Sequence, residues 1–216
     1  MIKIIKITGI SDTYPEVIEG TYEWYAAKEP GHDFCDLYEA EYIYEKTGFF
    51  KGLNYHLIHY PDGEVHSPFQ LQENVYVDKP VWNDGVLNFL VVDFRAQLIK
   101  ITAYTPIMRK LETIAELALS EVEDCYNLML ETTPLTLGRS GHDGFYEIVW
   151  PEKKKIAIGK NETILFRDGD RLYFSEWYED PDYHETVVVR DIHTGKIIEK
   201  SKGYLRRLPN NVYWKT

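Results

Sequence analysis

The sequence predicts an all-β, antiparallel protein, and three observations carry that prediction. Apolar residues recur with a period near two in short runs, the spacing that lines one face of a strand. Clusters such as Pro61-Asp62-Gly63-Glu64 and Arg167-Asp168-Gly169-Asp170 punctuate those runs with turn chemistry. Aromatic residues reach 14% of the chain, with 17 tyrosines, and such side chains suit a pleated, half-buried surface.

Taken in order, Ile2–Ile7 alternates apolar and basic residues and reads as a first strand, too short in apolar core for a signal peptide. Tyr22–Ala26 is a second. Phe34–Tyr44 (FCDLYEAEYIY) is read as a third, after the turn Glu29–His32. Leu53–Tyr60 meets the Pro61–Glu64 turn, and Val65–Leu71 returns beside it as a hairpin. Val75–Val77 is short. Trp82–Gly85 is a turn into Val86–Phe94, which Arg95-Ala96-Gln97 joins to Leu98–Tyr104.

Leu111–Val122 fits two patterns. Leu111, Ile114, Ala115, Ala118 and Val122 would line a helical face, whereas Thr113, Ala115, Leu117 and Leu119 alternate. Its neighbours are strands, which favours a strand. Tyr126–Glu131 follows, then Gly138–Gly144 (GRSGHDG), read as a surface loop. Phe145–Trp150, Lys155–Ile158, Thr163–Phe166, Leu172–Tyr178, Glu185–Asp191, Lys196–Lys200 and Val212–Trp214 complete the set. No Pro/Gly/Ser-rich linker interrupts the chain, so residues 1–216 are expected to form a single β-rich domain.

Thr186–Lys200 (TVVVRDIHTGKIIEK) resembles the outer half of a blade in WD-type and related β-propellers. A β-branched run ends in Arg-Asp, a Thr-Gly turn follows, and a Lys-Ile-Ile strand returns. In such blades the carboxylate after the strand caps the turn and glycine supplies the positive φ. Partial echoes occur at Val86–Tyr104 and Leu172–Glu179. At about 45 residues per blade the resemblance implies a small β-propeller-like fold of four or five blades. A β-sandwich or barrel is the alternative.

Net charge is −11, from 35 acidic and 24 basic residues, which argues against nucleic-acid and anionic-membrane partners. No apolar run approaches the roughly 18 residues of a membrane span. Two distant cysteines, Cys35 and Cys125, read as reduced thiols, and the expected compartment is cytoplasmic.

For chemistry, the Gly138–Gly144 loop contains Ser, His and Asp, but residues so close in sequence cannot converge as a triad. Its functional reading is a binding loop in which Arg139 and His142 meet a ligand, Arg139 an anionic one. Trp177–Glu185 (WYEDPDYHE) is the densest polar-aromatic stretch. There Trp177, Tyr178 and Tyr183 are candidate ligand-binding rings, suited with their flanking carboxylates to sugars, cations or basic peptides. His56 and His59 lie three apart on an expected strand, hence on opposite faces, and no metal framework appears. No metal and no cofactor are expected.

The first functional expectation is a non-enzymatic binding protein that offers this aromatic-acidic surface to a basic protein or peptide, or to a small polar ligand. The alternative is a hydrolase acting on a small polar or carbohydrate substrate, with Glu179, Asp180 and His184 as working groups.

Overall fold

The computed structural model describes residues 2–30, 35–141, 143–180 and 182–216. The chain divides into two compact units, residues 1–124 and 125–216.

In the first unit, β1 (Pro15–Val17), β2 (Trp24–Lys28), β3 (Tyr55–His59) and β4 (Val65–His66) form one antiparallel sheet in chain order. A second sheet joins β5 (Val75–Val77), β7 (Val86–Asp93), β8 (Leu98–Thr105) and β9 (Lys110–Ala118), with β6 (Val81–Asn83) also paired to β7. Strand β7 is buried along almost its whole length, so apolar residues occupy both of its faces, interrupted only by Asn88 between Val86 and Val92. Strand β9 is an edge strand. It pairs with β8 and exposes Lys110, Glu112 and Glu116, charges that discourage further pairing. At the β6–β7 turn Asp84 and Gly85 both take positive φ, 48° and 86°, as a two-residue hairpin turn of the primed type requires.

The second unit repeats the plan. Strands β10 (Met129–Glu131), β11 (Thr136–Ser140), β12 (Phe145–Trp150) and β13 (Lys154–Ala157) pair consecutively, as do β14 (Glu162–Asp168), β15 (Arg171–Tyr178), β16 (His184–Asp191) and β17 (Ile197–Lys202). A ribbon of β18 (Leu205–Arg207) and β19 (Tyr213–Lys215) follows. Tyr146, Ile148 and Ile156 pack with Ile164, Leu172, Phe174, Val188 and Ile192 into one core, with Tyr146 edge-on to Phe174.

The fold class is therefore all-β, antiparallel and propeller-like, built of four successive blade-like meanders, two in each unit. The blade motif behaves as its resemblance implies. Asp191 Oδ1 accepts the Thr194 amide and hydroxyl, each at 2.7 Å, and Gly195 holds φ 69°. Residues 110–118 are a strand, as the alternation predicts, and a short 3-10 turn takes over at Leu119–Glu121.

Three expectations are corrected. Residues expected as a strand over 34–44 instead enter α1 (Leu37–Thr47), Phe34 itself lying outside the described residues. Asp36 caps the helix by accepting the Glu39 amide at 2.7 Å, and Gly48 closes it in the left-handed region at φ 69°. Leu37, Ala40 and Glu41 turn inward, at the three-to-four spacing of a helix. The expected first strand, Ile2–Ile7, is not in a strand: Ile2 and Ile4 are each 90% exposed, because alternation gains nothing without a sheet edge to pair with. Finally, the expected surface loop at Gly138–Gly144 is strand as far as Ser140, with Arg139 buried, because residues 138–140 pair with Tyr146–Ile148 across the hairpin.

Candidate functional site

The β15–β16 register turns the Trp177–Glu185 stretch into a two-sided hairpin end. Trp177 pairs with Glu185 and Tyr178 with His184, so each pair shares a face. On one face the Ser175 hydroxyl donates to Glu185 Oε2 at 2.8 Å, and the Tyr183 hydroxyl donates to Glu185 Oε1. Both carboxylate oxygens are thus held beside Trp177, which is 41% exposed, and Tyr183, which is 67% exposed. Accepting by Glu185 favours the protonated phenol and pushes the Tyr183 pKa upward. On the other face the rings of Tyr178 and His184 stack, with centroids 5.0 Å apart and planes 13° apart. His184 Nδ1 lies 2.9 Å from the Asp182 carbonyl, which can only accept, so this nitrogen carries the proton.

Glu179, Asp180, Asp182 and His184 are all exposed. The hairpin end therefore brings together Trp177, Tyr183 and Glu185 on one face, with Glu179, Asp180 and Asp182 around the tip. Arg139 is not part of this group: it sits buried in β11, with Nε 3.7 Å from Glu147 of its own sheet. His142 lies outside the described residues.

Among the described residues no group of three or more His, Cys, Asp or Glu side chains is placed to hold a metal ion. His56 and His59 do take opposite faces of β3. His56 contacts Glu29 and Ser67, while His59 contacts Asp62 and the Trp24 ring.

Two carboxyls stand well above their usual range. Burial raises Asp78 to about 6, opposed by the Lys79 amide and the Lys79 and Lys28 charges. Burial likewise raises Glu131 to about 7, against the Tyr146 hydroxyl donating at 2.7 Å and the nearby Arg167 charge. Glu131 is buried and Asp78 half-buried, each within its own unit, and both lie apart from the hairpin end in sequence. No motif or spacing in the sequence marks either residue, because the burial of an acid on or just after a short strand depends on packing.

No protein-family model and no curated protein matches the chain. A solved structure, TolB from Acinetobacter baumannii, is similar with a TM-score of 0.43 and 11% identity, over 82% of this chain and 53% of that one. The chain thus spans about half the length of that TolB chain. Among the described residues no helix is long and apolar enough to cross a membrane.

Proposed function

We propose that the β15–β16 hairpin end is an interaction site that binds a basic peptide segment of a partner. The observation that carries the reading is the Glu185 carboxylate, held by Ser175 and Tyr183 directly across from the exposed Trp177 ring. A lysine or arginine laid on Trp177 would gain about 0.5–2 kcal/mol from the ring face. It would meet an already oriented carboxylate at the same time. Glu179, Asp180 and Asp182 add negative potential around the tip, and the net charge of −11 steers cationic partners toward the chain. The exposed placement of Glu179, Asp180 and His184 around a hairpin end favours recognition over catalysis, which is carried by side chains that line a concave pocket.

Fluorescence polarisation with Lys/Arg-rich peptides and a sequence-scrambled acidic control at about 0.15 M salt tests the reading. Binding of basic peptides, weakened about tenfold or more by Trp177→Ala and by Glu185→Gln, is the expected result. Equal affinity of both variants and the parent chain would remove the hairpin end from recognition.

A further inference from the structure

A second constellation lies in the first unit and is independent of the hairpin end. Strand register places three polar side chains in a row across one sheet face. His56 on β3 pairs with Ala27 on β2, so Glu29, two residues further along, shares its face. The pairing of Leu57 with His66 carries Ser67 opposite His56 on the other side. Ala27 offers only a methyl group, which leaves room for the imidazole to lie between its two polar neighbours.

The distances are those of a relay. His56 Nε2 is 2.8 Å from Glu29 Oε2, and His56 Nδ1 is 2.8 Å from Ser67 Oγ. An ionised carboxylate only accepts, so Nε2 carries the ring proton and Nδ1 is a bare acceptor. The Ser67 hydroxyl must then donate to it. The imidazole is largely shielded, at 16% exposure, and Glu29 retains 29%. Ser67 is open to solvent. The Glu29 backbone is anchored by its amide, which donates to the Asn54 carbonyl at 3.0 Å. Beside Glu29 and His56 a cleft of about 350 Å³ is lined by Gly9, Ile10, Ser11 and Pro30.

We propose that Ser67, His56 and Glu29 form a nucleophile, base and orienting acid for the hydrolysis of esters. Ser67 Oγ attacks the ester carbonyl carbon as its proton passes to His56 Nδ1, and Glu29 stabilises the imidazolium through Nε2–H. The C–O bond to the alcohol breaks, and the leaving oxygen takes the proton from Nδ1. Water then adds to the acyl-Ser67 ester, again giving its proton to Nδ1. Departure of Ser67 Oγ, reprotonated from Nδ1, releases the acid. The sum is ester plus water to acid plus alcohol, and no other co-reactant is needed. The Glu29 carboxylate, 2.8 Å from the imidazole, disfavours anionic esters. The substrate class is therefore a neutral or cationic ester.

A small uncharged alkyl fluorophosphonate is the probe. Attack by Ser67 Oγ would form a P–O bond and expel fluoride, with the hydroxyl proton passing to His56. Intact mass and peptide mapping of the full chain read the adduct. The expected result is labelling at Ser67, absent in Ser67→Ala and slowed by about 100-fold or more in His56→Gln, the lower range for a lost general base. Glu29→Gln should slow it less. Absence of an adduct on Ser67 in the parent chain would overturn the proposal. Labelling of His56→Gln at the parent rate, with unchanged circular dichroism, would overturn it equally.

Discussion

Glu131 makes the stability of the second unit depend on pH in a direction that packing dictates. Its side chain is 6% exposed, one oxygen accepts from the Tyr146 hydroxyl, and the other, Oε2, has no donor among the described residues. A buried acceptor without a donor is costly when ionised and tolerable when protonated. The folded carboxyl therefore holds its proton up to about 7, against the usual 4.5. Between those two values the native state binds more protons than the unfolded chain. The stabilisation is thus fully present below pH 4.5 and is lost as pH rises through about 7. At about 1.4 kcal/mol for each pH unit, the interval from 4.5 to about 7 amounts to about 3 kcal/mol. Glu131→Gln keeps the shape and an acceptor for Tyr146 but cannot ionise. Urea denaturation of parent and variant at pH 4.5, 6 and 8, followed by the fluorescence of the chain's five tryptophans, separates this contribution from the seven histidines, which both proteins share. The parent should lose about 3 kcal/mol more than the variant between pH 4.5 and 8. Identical pH profiles would refute the reasoning.

Two further outcomes follow from the same unit. Gly138→Ala would place a Cβ 2.3 Å from the Tyr146 hydroxyl oxygen, so the ring must move off Glu131. Overpacking plus the lost hydrogen bond should cost about 2–3 kcal/mol in urea denaturation, and a change under 0.5 kcal/mol would show that Tyr146 is free to shift. Glu162→Ala would strip Arg190 of its two-pronged partner, whose bonds run from Nε at 2.8 Å and Nη2 at 2.7 Å. Because the Glu162 side chain is 2% and Arg190 12% exposed, the stranded charge should cost about 3–5 kcal/mol, read as a lowered denaturation midpoint.

What was legible in the sequence and what was not divides along range. The aromatic-acidic stretch could be seen because its members lie within nine residues. Yet the sequence did not show that Ser175 and Tyr183 fix the Glu185 carboxylate, since that depends on which residue of β16 faces Trp177. The Glu29–His56–Ser67 row was invisible for a stronger reason: its members are 27 and 11 residues apart and meet through two independent strand registers. Arg139 was misplaced because glycines at 138, 141 and 144 suggest a loop, whereas the backbone of Gly138 is held in a ladder and lacks a Cβ to make way for Tyr146. The helix carried signals of its own, Asp36 three residues before Glu39 and Gly48 after Thr47. They were outweighed by FCDLYEAEYIY, where tyrosines imitate strand alternation.

By itself, the sequence determined the all-β class, the hairpin turns and the blade motif at Asp191–Gly195, because turn chemistry and two-residue periodicity act within a few bonds of the residues that encode them. Tertiary structure alone decided which strands found a partner, so that Ile2–Ile7 stayed outside any sheet despite its alternation. It also decided which carboxyls lost their water, as Glu131 did, and which distant side chains share a face. Pairing, burial and convergence are properties of segments far apart in the chain, and no local spacing records them.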